Sequence, residues 1–92
     1  MYSKKYRLDR IEEFNRPNPL YLDLAGCTCY LAYFNVGERG WFLYQTNNCL
    51  DDMHRIHTST VCDVVYLDNW PANQIVVTTK NTKFTFTQIV EE

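Results

Sequence analysis

The segment from Cys29 to Tyr44 constrains the fold most, because it reads as one β-hairpin that is apolar on both faces. Its strands, CYLAYFNV and WFLYQT, flank Gly37-Glu38-Arg39-Gly40. A turn centred on Glu38-Arg39 sets Val36 opposite Trp41, Phe34 opposite Leu43 and Tyr33 opposite Tyr44. One face then carries Tyr30, Ala32, Phe34, Val36, Trp41 and Leu43, and the other carries Leu31, Tyr33, Phe42 and Tyr44. A ribbon with one wet face alternates apolar with polar residues. One without that alternation has to bury its second face against a helix, another sheet or another molecule.

A chain of 92 residues is expected to fill one domain, because two cores could not be built from it. With 46% hydrophobic and 15% aromatic residues it is not a disordered composition, and three Gly and three Pro exclude a low-complexity one. Domains of this size bury only about 60–65% of their unfolded surface, so association would add to a thin stability margin. The N-terminus, MYSKKYRLDRIEEF, lacks the apolar core of a secretory signal, and the uncharged run from Leu24 to Gly37 is too short for a membrane-crossing helix. With no Asn-x-Ser/Thr sequon, the expected compartment is the cytoplasm, where the four cysteines stay reduced.

Charge is unevenly placed. Residues 1–16 carry five cations (Lys4, Lys5, Arg7, Arg10, Arg16) against Asp9, Glu12 and Glu13, whereas the remainder carries four cations against eight carboxylates. An acidic body repels phosphate, so direct nucleic-acid binding is disfavoured. The aromatic-rich body fits a protein or ribonucleoprotein partner with a basic surface instead.

Along the chain, Leu8, Ile11 and Phe14 recur at three-residue spacing among charges, which predicts a short amphipathic helix within residues 1–16, stopped by Arg16-Pro17-Asn18-Pro19. Residues 20–46 are expected to hold a short strand and the hairpin. Thr46 to Arg55 is polar and reads as a loop or one helical turn. Residues 56–90 read as a three-stranded meander whose last turn, at Asn81-Thr82, pairs Thr79 with Phe84 and Val77 with Phe86 and places Ile75, Val77, Phe84 and Phe86 on one face. The predicted class is therefore α+β, mainly β: a short N-terminal helix with five or six antiparallel strands in a strongly bent sheet or small open barrel.

Few residues suggest chemistry. Cys27 and Cys29 lie two apart, and Cys49, His54, His57 and Cys62 follow, so a zinc site is conceivable on a strand that points both thiolates one way. The spacing is that of no common ribbon or finger, and the simpler reading of the cysteines is small buried hydrophobes. No nucleophile elbow, phosphate loop or dinucleotide fingerprint occurs, so neither an enzymatic activity nor a cofactor is expected. Aromatic residues give the better signal, because Tyr and Trp are favoured at interface centres. The candidate partner-binding residues are Tyr30, Tyr33, Trp41, Tyr44 and Trp70, with Glu38, Asp51 and Asp52 steering association.

Residues 56–86, IHTSTVCDVVYLDNWPANQIVVTTKNTKFTF, resemble the strand–loop–hairpin ending of many short uncharacterised proteins of phages and prophages, with "HTS" opening one strand and "T-x-N-T-x-F" across the last turn. That resemblance implies an accessory protein of a mobile element, a group that includes the anti-CRISPR inhibitors, which block a host nuclease complex by binding it. No functional motif of such a family matches residue by residue, so no site is carried over. The expectation is a non-enzymatic module acting by steric occlusion in the host cytoplasm. The alternatives are a structural or regulatory homodimer formed through the hairpin and a small zinc or thiol protein.

Overall fold

The computed structural model describes residues 5–15, 24–45, 53–68 and 72–89. Its elements are β1 (Tyr6–Glu13), β2 (Thr28–Tyr33), β3 (Arg39–Gln45), β4 (Met53–Leu67), β5 (Gln74–Thr79) and β6 (Thr82–Gln88). Each strand pairs antiparallel with the next and β1 pairs back with β6, so the meander closes into an all-β barrel. The α+β expectation is thereby corrected. No helix occurs among the described residues, and the residues expected to form one are the strand that closes the barrel.

The reason lies in a bulge. Leu8 pairs with Phe86 and Arg10 with Thr85, so Asp9 is an extra residue that shifts the inward face by one position. Leu8 is fully buried, and the next residue packed on the core is Ile11, three residues on. Three-residue spacing in a bulged strand looks the same in sequence as one side of a helix. On the outer surface the bulged Asp9 is held by Arg7 and by the Thr87 hydroxyl of β6.

The other seam, between β1 and β2, has only two register pairs, Tyr6 with Cys29 and Arg7 with Thr28. A turn at Leu24–Cys27 extends it: the Cys27 amide donates to the Leu24 carbonyl at 3.0 Å, the Gly26 amide to the Leu8 carbonyl at 2.6 Å, and the Leu8 amide to the Cys27 carbonyl at 3.0 Å. Gly26 holds a φ of 91°, which the third position of such a turn requires and a side chain disfavours.

The inside of the barrel is centred on three rings. Phe42 meets Phe84 at 5.6 Å and Phe86 at 5.4 Å, both edge-on, the arrangement the ring quadrupoles favour. Leu8, Cys29, Ile56, Val61, Ile75 and Val77 surround them. In the last hairpin Val77 pairs with Phe84 and Ile75 with Phe86, a register two residues from the predicted one. Because side chains repeat every two residues, that slip leaves Ile75, Val77, Phe84 and Phe86 together on the inside. Its turn is clamped by the buried Thr79, whose hydroxyl accepts from the Thr82 amide at 3.1 Å and from the Ser59 hydroxyl at 2.9 Å.

The 46–55 segment was expected to lie outside any strand, yet β4 begins at Met53. Its first half pairs with β3 and its second half with β5, with extra residues on β4 between His57 and Thr60 and between Val61 and Asp63. Inward positions consequently run Ile56, Thr58, Val61 and Val64, again in steps of three past the bulges.

Candidate functional site

The first hairpin, β2–β3, turns earlier than its sequence suggests. The Glu38 amide donates to the Asn35 carbonyl at 3.1 Å, with Val36 and Gly37 at the centre and Gly37 at a φ of 92°. Pairing then sets Cys29 opposite Tyr44, Tyr30 opposite Leu43, Leu31 opposite Phe42 and Tyr33 opposite Trp41, with an extra residue between Leu31 and Tyr33. Phe42, Leu31, Phe34 and Tyr44 therefore face the core, and Tyr30, Tyr33, Trp41 and Leu43 face outward. Gly40 permits this crossing, because a Cβ there would sit 2.5 Å from the Phe34 ring and 2.9 Å from the Tyr33 carbonyl oxygen.

β4 completes the outward face. His57 pairs with Trp41 and Arg55 with Leu43, which builds two three-strand rows, Tyr33–Trp41–His57 and Tyr30–Leu43–Arg55. The Arg55 guanidinium lies 4.6 Å from the Trp41 ring centroid and the His57 ring 6.5 Å from it. A cation over an indole at an exposed site is worth about 0.5–1 kcal/mol. At the turn, the Tyr33 hydroxyl donates to Glu38 Oε2 at 2.5 Å and accepts from Asn35 Nδ2 at 2.9 Å. The hydrogen bond to Glu38 raises the phenol's pKa above its ordinary value.

Of the residues singled out from sequence, Tyr33 and Trp41 share this face, and Glu38 borders it through Tyr33. Tyr30 is outward in register but buried, with 8% exposure. Tyr44 is not on this face and does not pair with Tyr33. It points inward and stacks on His54 at 5.2 Å, its partner on β4. Trp70, Asp51, Asp52 and Cys49 lie outside the described residues. Arg55 and Asn35 are site residues that sequence reasoning missed, and His57, singled out only as a metal candidate, joins them here. The available signal was the alternation of Arg55 and His57 with Ile56 and Thr58, which marks a strand with one wet face.

The metal candidates are dispersed. Among the described residues no three His, Cys, Asp or Glu side chains come together to hold an ion. Cys27 and Cys29 stand at the start of β2, and Cys62 is exposed in the β4 bulge. His54 is exposed and stacks on Tyr44, and His57 lies outward beside Trp41. Cys29 and His54 each pair with Tyr44 on opposite sides of β3, so they stand two strand spacings, about 10 Å, apart. Burial pushes the Cys29 thiol up to about 12, with Cys27 adding to the effect.

Cys29 is therefore expected to resist alkylation at pH 8 in the folded protein while Cys62 is modified, as peptide mass spectrometry would read. The thiol also makes stability depend on pH. Its raised value favours the folded state fully below the ordinary value of 9.0, and the contribution disappears as pH rises toward about 12. Melting temperature should fall across that alkaline window, and less steeply in Cys29→Ala. Equal alkylation of Cys29 and Cys62 in the native protein would contradict the burial.

No protein-family model matches the chain, and no curated protein or solved structure is significantly similar to it. No helix among the described residues is long and apolar enough to cross a membrane. Outward positions of β1 carry Arg7, Arg10 and Glu12 around an apolar interior, the inverse of the alternation in a lipid-facing barrel.

Proposed function

We propose that the chain is a non-enzymatic protein-binding module whose contact surface is the outward face of β2, β3 and β4. The observation that supports this reading is the Tyr33–Trp41–His57 row with Arg55 over the indole, because the core occupies only one face of an aromatic ribbon. Trp41 is the anchor, held by Arg55, and Tyr33 is fixed at the rim by Glu38 and Asn35. Such a surface fits a partner with an apolar recess for the indole and a carboxylate that meets Arg55. Occlusion of a host nuclease complex by a phage-encoded inhibitor is the narrower form of the reading, supported by the resemblance of residues 56–86.

Affinity capture from host lysate with two baits, the natural protein and Trp41→Ala, tests the reading. Truncating a central aromatic anchor costs about 2–4 kcal/mol of binding. The expected result is a partner retained by the natural chain and lost by Trp41→Ala, with melting temperatures that nearly coincide. A partner retained equally by both baits, or no partner at all, would contradict it. For the narrower form, near-stoichiometric inhibition of the nuclease should be relieved by the same substitution.

A further inference from the structure

We propose that the second half of β4, residues 63–67, is a strand-addition site that takes up an extended, basic peptide segment of another protein. The site is separate from the Trp41 face and does not depend on it. β3 accompanies β4 only as far as Thr60, and the hairpin turn then exchanges two backbone hydrogen bonds with Val61, from the Gly37 amide at 2.9 Å and to the Glu38 carbonyl at 2.8 Å. Beyond that point β4 runs on from Asp63 to Leu67 with β5 along one edge and no strand of the described residues along the other. In an antiparallel pair alternate residues aim their N–H and C=O groups away from the partner, so this stretch presents an open row of both.

Edges of this kind are ordinarily blunted by lysine, proline or a bulge. Here the bulge lies between Val61 and Asp63, ahead of the open stretch, and the residues along it are apolar: Val65 and Leu67 are each 39% exposed and Tyr66 is 75% exposed. Backbone groups would supply the affinity of an added strand and these side chains its selectivity. The charges name the occupant. Glu38 and Asp63 stand at one end and Asp68 at the other, all exposed, while the Arg39 guanidinium is turned to the Thr58 carbonyl at 3.0 Å. A segment with lysine or arginine at its ends and alternating β-branched residues between them is complementary to this edge. A second copy is not, because antiparallel self-pairing about Val65 would crowd the carboxylates of two chains into one ladder without a cation.

The test uses three blocked synthetic peptides against the isotope-labelled protein: Lys-Val-Thr-Val-Thr-Val-Lys, its counterpart with glutamate for both lysines, and a version with proline at the central valine. Backbone amide shifts report where each binds. The basic peptide should perturb amides within residues 63–67, protect alternate ones from exchange, and bind at least about tenfold tighter than the acidic or proline peptide. Asp63→Lys with Asp68→Lys should weaken it by a similar factor, and Trp41→Ala should leave it unchanged. Equal binding of the proline peptide would overturn strand addition, and equal binding of the acidic peptide would overturn the charge assignment. Perturbation confined to the Trp41 face, or shifts at 63–67 that grow with protein concentration alone, would also overturn the proposal.

Discussion

Phe42→Ala is expected to lower stability by about 3–5 kcal/mol, the range for removing a buried aromatic ring. Phe42 is fully buried and touches both other rings of the core edge-on, at 5.4 and 5.6 Å, with Phe34 at 6.3 Å on a further side. A barrel wall hydrogen-bonded strand to strand cannot collapse around the void, so most of the cavity would remain. Against the roughly 5–15 kcal/mol that holds a domain together, such a loss takes the chain close to unfolding at 37 °C. Urea midpoints measure it, and the neighbouring residue is the control. Trp41→Ala, one position along the same strand but outward, should cost about 1 kcal/mol or less, since it removes the Arg55 contact and some half-buried area. Equal losses at the two positions would mean that the hairpin is not divided between core and surface.

Leu8→Ala is expected to cost about 2–5 kcal/mol, which a residue on a peripheral helix would not. Leu8 has no exposed surface, pairs with Phe86 across the β1–β6 seam, and exchanges backbone hydrogen bonds with the Gly26 turn on its other side. Truncating it opens a void where the two seams meet. Arg10→Ala, on the outside of the same strand and paired with the half-exposed Glu12 at 2.9 Å, should change stability by about 0–1 kcal/mol. A small effect at Leu8 would favour the helix expected from sequence and contradict barrel closure by β1.

The β character of residues 28–45, 56–67 and 74–88 was legible because β-branched and aromatic residues concentrate there. What composition does not carry is the bulge. Leu8 to Ile11, Leu31 to Phe34, Thr58 to Val61 and Val61 to Val64 are successive inward residues three apart, each pair spanning an extra residue in its strand. The first was therefore read as a helix, and the second exchanged the faces of Tyr33 and Phe34. An odd slip of this kind turns every later side chain over, whereas the even slip in the last hairpin left its face intact.

The site was legible to the same degree. Trp41 and Tyr33 emerge together because both are aromatic residues of the hairpin. Tyr44 keeps the face of Phe42, two residues before it on β3, whereas the extra residue after Leu31 turns Tyr33 outward, so the two tyrosines part. Arg55 was hidden by reading a polar segment through Arg55 as a loop, when the strand had already begun at Met53, and His57, placed in a strand, was weighed as a metal ligand. The open edge of β4 was not legible at all, since it arises from where β3 ends relative to β5.

The division of the hairpin into an inner and an outer face is tested most directly by nuclear Overhauser contacts from the side chains of residues 41 and 42. The Trp41 indole protons should show contacts to Arg55 and His57 and none to Phe84 or Phe86, while the Phe42 ring protons should show contacts to both Phe84 and Phe86. Contacts from the Trp41 indole to Phe84 and Phe86 would place the indole in the core and contradict the account.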